Sequence, residues 1–210
     1  GFTLYLVGGS VRDALRGQLG HDLDFTTDAR PDDIEALLRT LTTAVWTIGK
    51  EYGTVGCRVD DQHRDTTNGG GAESWVIEVT TFRSDAYAAD SRKPQVRFGD
   101  TLEGDLIRRD FTVNAMAVEL PNKRFVDPYG GLAQLAAGVL DTPGTPEQSF
   151  SDDPLRMMRA ARFAAQLGFE VAADVVEAMA EQADRLAIVS AERVRDELMK
   201  IVMSPDPRRG

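Results

Sequence analysis

The strongest constraint on this chain lies in its first 27 residues. Leu4-Tyr-Leu-Val7 reads as a short buried strand, Gly8-Gly9 breaks it, and Ser10-Val-Arg-Asp13 has the spacing of a capping box at a helix start. A second strand runs over Leu23 to Thr27. Strand, glycine turn, helix and strand in close succession commit the opening of the chain to a mixed α/β arrangement. Pro31 then opens an amphipathic helix with Ile34, Leu37, Leu38 and Leu41 on one face, and strand candidates follow at Ala44 to Ile48 and Thr54 to Val59. Residues 60–74 are polar and glycine-rich, as in an insertion within a surface loop. Trp75 to Phe82 is β-branched and aromatic, a strong strand. The charged stretch from Arg83 to Asp105 shows little periodicity and is expected to be mobile. Asn114 to Leu120 and Arg124 to Val126 flank a Pro-Asn-Lys turn and predict a hairpin.

From about residue 151 the texture changes to Ala, Met and Leu at helical spacing, with helices expected over 153–167, 172–184 and 191–203. Thr142-Pro-Gly-Thr-Pro146 interrupts any regular element. The expected organisation is therefore a mixed α/β domain over 1–145 and a helical domain over 146–210.

Composition narrows the function classes. Acidic residues number 34 against 24 basic ones, a net charge of −10, so binding of nucleic acid by whole-protein charge is disfavoured. Local arginine clusters or bound cations would have to supply any such affinity. Cys57 is the only cysteine, which excludes an internal disulfide and a cysteine-rich zinc site, and His21 and His63 cannot make a histidine cluster. A metal, if held, falls to carboxylates. No apolar run approaches the ~20 residues of a membrane-spanning helix. The first 20 residues carry Arg12, Asp13 and Arg16 and lack a signal-peptide pattern, so a cytoplasmic location and no membrane partner are expected.

Three groups of residues in the first domain could carry chemistry. Asp22 and Asp24 stand two apart in a strand, so both carboxylates leave the same face while Leu23 and Phe25 face the core. Such a pair can be a solvated strand edge, but two carboxylates this close repel unless a cation lies between them, and hard oxygen ligands suit Mg²⁺ with substrate phosphates. Gly8-Gly9-Ser10 permits close backbone approach ahead of a helix N-terminus, which favours phosphate, although such a turn is commonly no more than a turn. Glu78 points away from Ile77 and Val79. A lone strand glutamate is ordinarily a surface residue; beside the aspartate strand it becomes a third metal carboxylate.

Two further segments concentrate arginine. Arg108-Arg-Asp-Phe-Thr-Val-Asn114 packs two guanidiniums, a carboxylate and a carboxamide into seven residues, and reads either as structural ion pairs or as triphosphate and ribose recognition. In Asp153-Pro-Leu-Arg156 and its continuation, Arg156, Arg159 and Arg162 recur every third residue with Asp153 three before Arg156, either an ion-pair ladder or a base reader. Cytosine and adenine each present an exocyclic amine donor beside a ring-nitrogen acceptor, which matches a carboxylate beside a guanidinium. Uracil and guanine reverse that polarity.

Leu6-Val-Gly-Gly-Ser-Val-Arg-Asp13 with Asp22-Leu-Asp-Phe-Thr-Thr27, Glu78-Val-Thr-Thr-Phe-Arg83, Arg108 to Ala117, Asp127-Pro-Tyr-Gly-Gly131, and Asp153-Pro-Leu-Arg156 continuing to Phe169 resemble, in order, the class II tRNA nucleotidyltransferases, or CCA-adding enzymes, of the DNA polymerase β nucleotidyltransferase superfamily. Glu192-Arg-Val-Arg-Asp-Glu-Leu198 resembles the family's neck motif. The resemblance implies a polymerase-β-like α/β head with a five-stranded mixed sheet, followed by a helical neck. It implies Asp22, Asp24 and Glu78 as catalytic carboxylates for two Mg²⁺ ions. Gly8, Gly9, Ser10 and Arg12 would hold the triphosphate with Arg109, Arg159 and Arg162, Asp110 and Asn114 would lie near the sugar, and Asp153 with Arg156 would read the incoming base. Residues 83–105 would be the flexible element and Asp127 to Gly131 the hinge. The substrates implied are the tRNA 3′ end, CTP and ATP, with the 3′ hydroxyl attacking the α-phosphate in line and pyrophosphate leaving; no obligate protein partner is implied.

The chain departs from the family pattern in three places. Asp152 stands where glutamate is more usual, residues 60–74 exceed the usual connection, and the chain ends at Gly210 where the family continues into helical body and tail domains, so a head-and-neck fragment is expected. Bacterial poly(A) polymerases share the catalytic motifs but usually carry an Arg- and Phe-rich strand after the first of them, which Gly49-Lys-Glu-Tyr-Gly-Thr-Val-Gly56 does not resemble. Specialised CC-adding or A-adding enzymes, and a non-catalytic nucleotide- or tRNA-binding module, are the remaining alternatives.

Overall fold

Side-chain alternation builds the main sheet. In the computed structural model, which describes residues 1–60, 74–88, 91–99 and 101–210 (side chains of 84–88 and 91–97 excepted), β1 spans Leu4–Val7 and passes into α1, Gly8–Leu15. The turn between them needs glycine, because Gly8 sits at φ +67°, where a side chain would be strained. β2 follows at Asp22–Thr27, then α2 at Pro31–Leu41, opened by its proline. Ile34 and Leu38 are buried, whereas Leu37 and Leu41 are 54% and 68% exposed, so the apolar face is narrower than its sequence pattern. β3 is only Val45–Trp46, β4 is Thr54–Asp60, and β5 is Ser74–Thr81. The glycine-rich stretch lies, over 61–73, outside the described residues.

Arg83–Ala88 (β6) and Ser91–Phe98 (β7) pair as a separate two-stranded sheet, and Leu102–Ile107 forms the short α3. Both strands are rich in polar and charged residues, so no alternation of apolar residues announces them in the sequence. β8 at Ala117–Leu120 and β9 at Arg124–Val126 make the expected antiparallel hairpin.

The main sheet runs in the order β3-β4-β5-β2-β1-β8-β9, with β2 and β5 parallel and the other pairs antiparallel. It has seven strands where five were expected. The difference lies at the edges, where two- and three-residue strands complete the sheet; short edge strands are a common end to a sheet. One face packs on α2 through Ala29, Ile34, Leu38, Val55, Cys57 and Val79, joined by Phe25, Val45 and Ile77. By the period of two, Asp22, Asp24, Glu78, Gly56 and Trp46 belong to the opposite face.

The remainder is helical. α4 spans Gly131–Ala137, and β10 (Val139–Leu140) pairs in parallel with β11 (Glu170–Val171). α5 covers Pro146–Asp152, α6 Leu155–Leu167, α7 Ala173–Gln182 and α8 Ala191–Val202. Three of these meet the expected ranges closely. α5 falls where the prolines were read as a break: Pro146 instead occupies the first turn of a helix capped by the Thr145 hydroxyl, which accepts from the Gln148 amide. Phe111, Leu140, Ala160, Phe163 and Phe169 make one core here, with Phe111 and Phe163 edge to face at 5.7 Å. Phe150, Met157, Val175 and Ala178 make another.

Two compact units result, interleaved in sequence. One comprises Gly1–Ser84, Phe98–Asp105 and Ala117–Val126; the other comprises Asp85–Arg97, Leu106–Met116 and Asp127–Gly210. No helix among the described residues is long and apolar enough to cross a membrane.

Candidate active site

In the first unit, the glycine turn and the aspartate strand are tied together by one hydroxyl. Ser10, buried at 4% exposure, donates from Oγ to the Asp22 carbonyl at 3.2 Å and accepts from the Asp24 amide at 2.9 Å. Both bonds go to backbone, so they hold β2 against α1 while leaving both carboxylates on the sheet face. Gly9, Ser10, Asp13, Gln18, Gly20, Asp22 and Asp24 line a cavity of about 270 Å³. No acidic residue of α1 itself occupies its first turn.

Arg12 is held down rather than reaching into this cavity. Its guanidinium is buried and donates to both Asp13 carboxylate oxygens at 2.9 and 2.8 Å, and it lies 3.4 Å from where a Cβ on Gly9 would stand. A side chain at residue 9 would press on that guanidinium. The pairing with Asp13 is the contact that the sequence reading did not anticipate, since adjacent residues on a helix do not ordinarily face each other.

Glu78 takes its place through register. β2 and β5 pair so that Asp24 stands directly opposite Glu78 and Asp22 opposite Val76, bringing the third carboxyl beside the pair. Glu78 keeps solvent exposure as a residue, yet burial of its carboxyl pushes its pKa above the ordinary value. The Asp24 carboxylate pushes the same way, a hydrogen bond from Trp46 opposes both, and Asp22 adds a smaller upward push. Burial is the largest cause and the neighbouring aspartates add to it, as expected where three acids share one sheet face. Among the described residues no three acidic, imidazole or thiol side chains converge tightly enough to form a ready metal cage. The donor set still fits Mg²⁺, which commonly takes one or two protein carboxylates and completes its shell with water and substrate phosphate.

In the second unit, the arginines of α6 divide among different partners instead of forming a ladder along the helix. Arg159 donates to one Asp110 oxygen from Nε at 2.8 Å and from Nη2 at 2.5 Å, and the other Asp110 oxygen accepts from the Asn114 amide at 3.0 Å. Burial alone would raise the Asp110 carboxyl; Arg159 and Asn114, with a smaller push from Arg156, outweigh it and hold its pKa at about 2. Asp110, Asn114 and Arg159 thus form a single hydrogen-bonded cluster, which joins the arginine expected at the triphosphate to the two residues expected at the sugar.

Arg156 is 8% exposed, with Nη1 donating to the Ser149 hydroxyl at 2.9 Å and Nη2 to the Arg108 carbonyl at 2.5 Å. The Asp153 carboxylate accepts from the Leu155 amide at 3.1 Å, at the start of α6, and lies 3.6 Å from Arg193. Arg162 lies over the Phe163 ring at 4.1 Å and within 2.6 Å of the Glu197 carboxylate, itself 4% exposed. That contact is an ion pair whose N–H points off the line to the oxygen. Burial lowers the Arg162 pKa and so does Arg159, with Glu197 opposing. Arg109 is partly exposed. Asp127 accepts from the Gly131 and Leu132 amides at 2.7 and 2.9 Å, anchoring the start of α4, where Gly131 is required because a Cβ would stand 2.2 Å from the Thr112 carbonyl.

A polymerase-β-like nucleotidyltransferase head accounts for both the sheet order and the acidic face, and this chain belongs to the family described as the poly A polymerase head domain, which matches residues 4–141. A second family pattern, described as a probable RNA- and SrmB-binding site of polymerase A, matches residues 168–210. The chain is 40% identical over 203 residues to a CCA-adding enzyme of Bacillus pumilus, covering 96% of this chain and 46% of that one. It superposes on a Bacillus stearothermophilus CCA-adding enzyme solved in complex with CTP with a TM-score of 0.78 and 37% identity, over 98% of this chain and 45% of that one. A CCA-adding enzyme solved in an apo form gives a TM-score of 0.80 at 28% identity, over 99% and 47%. The chain therefore spans about half the length of the relatives it matches.

Proposed function

We propose that this chain carries the nucleotide-transferring part of a tRNA nucleotidyltransferase that adds C, C and A to tRNA 3′ ends from CTP and ATP. The observation that carries the reading is the placement of Glu78 directly opposite Asp24 on a sheet face that already presents Asp22, in a chain related over nearly its whole length to CCA-adding enzymes. Residues 1–145 are its catalytic head and 146–210 its neck.

Asp22, Asp24 and Glu78 would hold two Mg²⁺ ions. When bound, Mg²⁺ supplies positive charge that favours ionisation of the attacking 3′ hydroxyl and neutralises the departing pyrophosphate. The chain's own residues bind and orient. Gly8 and Gly9 open the backbone to the triphosphate at the start of α1; Ser10 fixes the aspartate strand; Arg12, braced on Asp13, adds positive charge beside the turn. The terminal 3′ oxygen forms its bond to the α-phosphorus as the bond to the β-phosphate bridging oxygen breaks, and positioning does most of the work. In the second unit, Asp110 and Asn114 face the sugar and Arg109, Arg159 and Arg162 face phosphate. Asp153 accepts the exocyclic amine of cytosine or adenine while Arg156, its direction set by Ser149 and Arg108, donates to the neighbouring ring nitrogen.

The test uses full-length protein with a tRNA lacking its 3′ end, each radiolabelled nucleoside triphosphate and Mg²⁺, followed by sequencing of the product. Ordered C, C, A supports the reading. An A-tract supports the poly(A) polymerase that the family description names. C, C alone or A alone assigns a specialised enzyme, and nucleotide binding without incorporation a non-catalytic module.

A further inference from the structure

Gly56 sits in the middle of a strand whose neighbours, Val55 and Cys57, are fully buried on the α2 side. A glycine there weakens a strand and is kept where something must come close to the backbone. What comes close is Trp46. It is the register partner of Gly56 across β3 and β4, and its indole lies so nearly on the Gly56 Cα that a Cβ would stand 2.2 Å from Cε2 and 2.3 Å from Nε1. Gly56 is in turn the register partner of Glu78, and Glu78 that of Asp24. Trp46, Gly56, Glu78 and Asp24 thus form one row across four strands on the acidic face. The ring spans the bare strand, which brings the indole, whose N–H is its only donor, beside Glu78, the next residue in the row.

We propose that Trp46 is a positioning residue for the third carboxylate: its indole, seated over Gly56, fixes Glu78 towards Asp24. This rests on the reading of Asp22, Asp24 and Glu78 as the acids that hold divalent metal. A free glutamate on a sheet face samples several rotamers, whereas one tethered by a single N–H keeps one oxygen engaged and turns the other to its neighbour. The tether is neutral, so it orients the carboxylate without cancelling the charge a cation needs. Gly56 and Trp46 act as a pair, since any side chain at residue 56 would lift the ring away from Glu78.

Trp46→Phe keeps the ring and removes the donor. In full-length protein, Mn²⁺ affinity is measured from the free-ion EPR signal, alongside the Mg²⁺ half-saturation of CTP incorporation, the KM for CTP and the unfolding midpoint. Expected are about a tenfold weakening of Mn²⁺ binding and a similar rise in Mg²⁺ half-saturation, with KM for CTP and the unfolding midpoint unchanged. In a Glu78→Ala background, Trp46→Phe should have no further effect on Mn²⁺ affinity. Unchanged affinity in folded Trp46→Phe, or an equal loss with and without Glu78, overturns the proposal. If Glu78→Ala itself leaves Mn²⁺ affinity at the wild-type value, the metal reading of Glu78 fails instead, and the two failures are told apart. Should Trp46→Phe not fold, Gly56→Ala, which lifts the ring from Glu78, should weaken Mn²⁺ binding to a similar degree, and unchanged affinity in folded Gly56→Ala overturns the proposal.

Discussion

Ser10 and Asp24, fourteen residues apart, are joined by a hydrogen bond from the Asp24 amide to the Ser10 hydroxyl at 2.9 Å. The same hydroxyl reaches the Asp22 carbonyl, so one buried oxygen sets the position of both aspartates. Ser10→Ala leaves the Asp24 amide without this acceptor, at a cost of about 1 to 3 kcal/mol in urea unfolding. Incorporation should fall by about tenfold or more, because misplacing reacting groups by a fraction of an ångström is expensive in transfer chemistry. Wild-type turnover in a folded Ser10→Ala protein would show that the strand is held by other means.

Asp22→Ala and Asp24→Ala should each abolish incorporation while leaving the fold intact. Both residues are exposed on the sheet face, and removing one of two close like charges relieves repulsion in the metal-free protein. Glu78→Ala should be severe but leaky. Turnover and thermal unfolding are measured together; near-normal incorporation by folded Asp24→Ala would sink the metal assignment.

The raised Glu78 carboxyl gives a stability signature with a definite sign. It binds its proton more tightly in the folded state than in the unfolded chain, so its stabilising contribution is present at acid pH and is lost as pH rises through the raised value. In the presence of a chelator, Glu78→Gln should therefore unfold at a higher temperature than the wild type at neutral pH. The gap should narrow below the ordinary glutamate range. A variant that is less stable at pH 7 contradicts the crowded-acid picture.

Asp110 behaves in the opposite sense. Its carboxyl is held down from 3.8 to about 2, so the stability it contributes is present above its ordinary value and is lost as pH falls towards 2. Asp110→Asn should cost about 1 to 3 kcal/mol at neutral pH, because Arg159, itself a third exposed and so partly screened by solvent, loses the charge of a buried partner. The variant should also show a shallower loss of stability between pH 4 and 2, measured by urea midpoints across that range. Parallel acid limbs in the two proteins would remove Asp110 as the cause.

Base choice should follow the polarity of Asp153 and Arg156. UTP meets each group with the wrong partner, and two unmatched polar contacts at about 1 to 3 kcal/mol each predict discrimination of roughly tens to thousands of fold. Asp153→Ala should relax selection against UTP and GTP. Arg156→Ala should chiefly weaken CTP and ATP use, and should also lower stability, because the buried guanidinium bonds Ser149 and the Arg108 carbonyl. Values of kcat/KM for all four nucleotides provide the comparison; unchanged preference in both folded variants would leave these residues a purely structural role.

Local order was legible in the sequence wherever neighbours along the chain decide it. A period of two puts Asp22 and Asp24 on one face, Pro31 opens α2, and helical spacing marks α6, α7 and α8 within a few residues of their ends. Those features depend on backbone geometry and on which residues sit one to four positions away. The paired strands β6 and β7 left no such mark, because both are rich in polar and charged residues.

What the tertiary structure decided was partnership between distant segments. Only the parallel register of β2 and β5 sets Glu78 opposite Asp24, since a shift of one residue would turn Glu78 to the α2 side. Arg156, Arg159 and Arg162 look equivalent at a spacing of three, yet Arg156 hydrogen-bonds Ser149, Arg159 hydrogen-bonds Asp110 and Arg162 forms an ion pair with Glu197, because each guanidinium finds the partner that packing brings within reach. That Gly56 makes room for Trp46 depends on the pairing of β3 with β4, which no spacing along the chain reveals. Periodicity is a property of neighbours in sequence, whereas register and the choice of partner follow from burial and hydrogen bonding across the whole core.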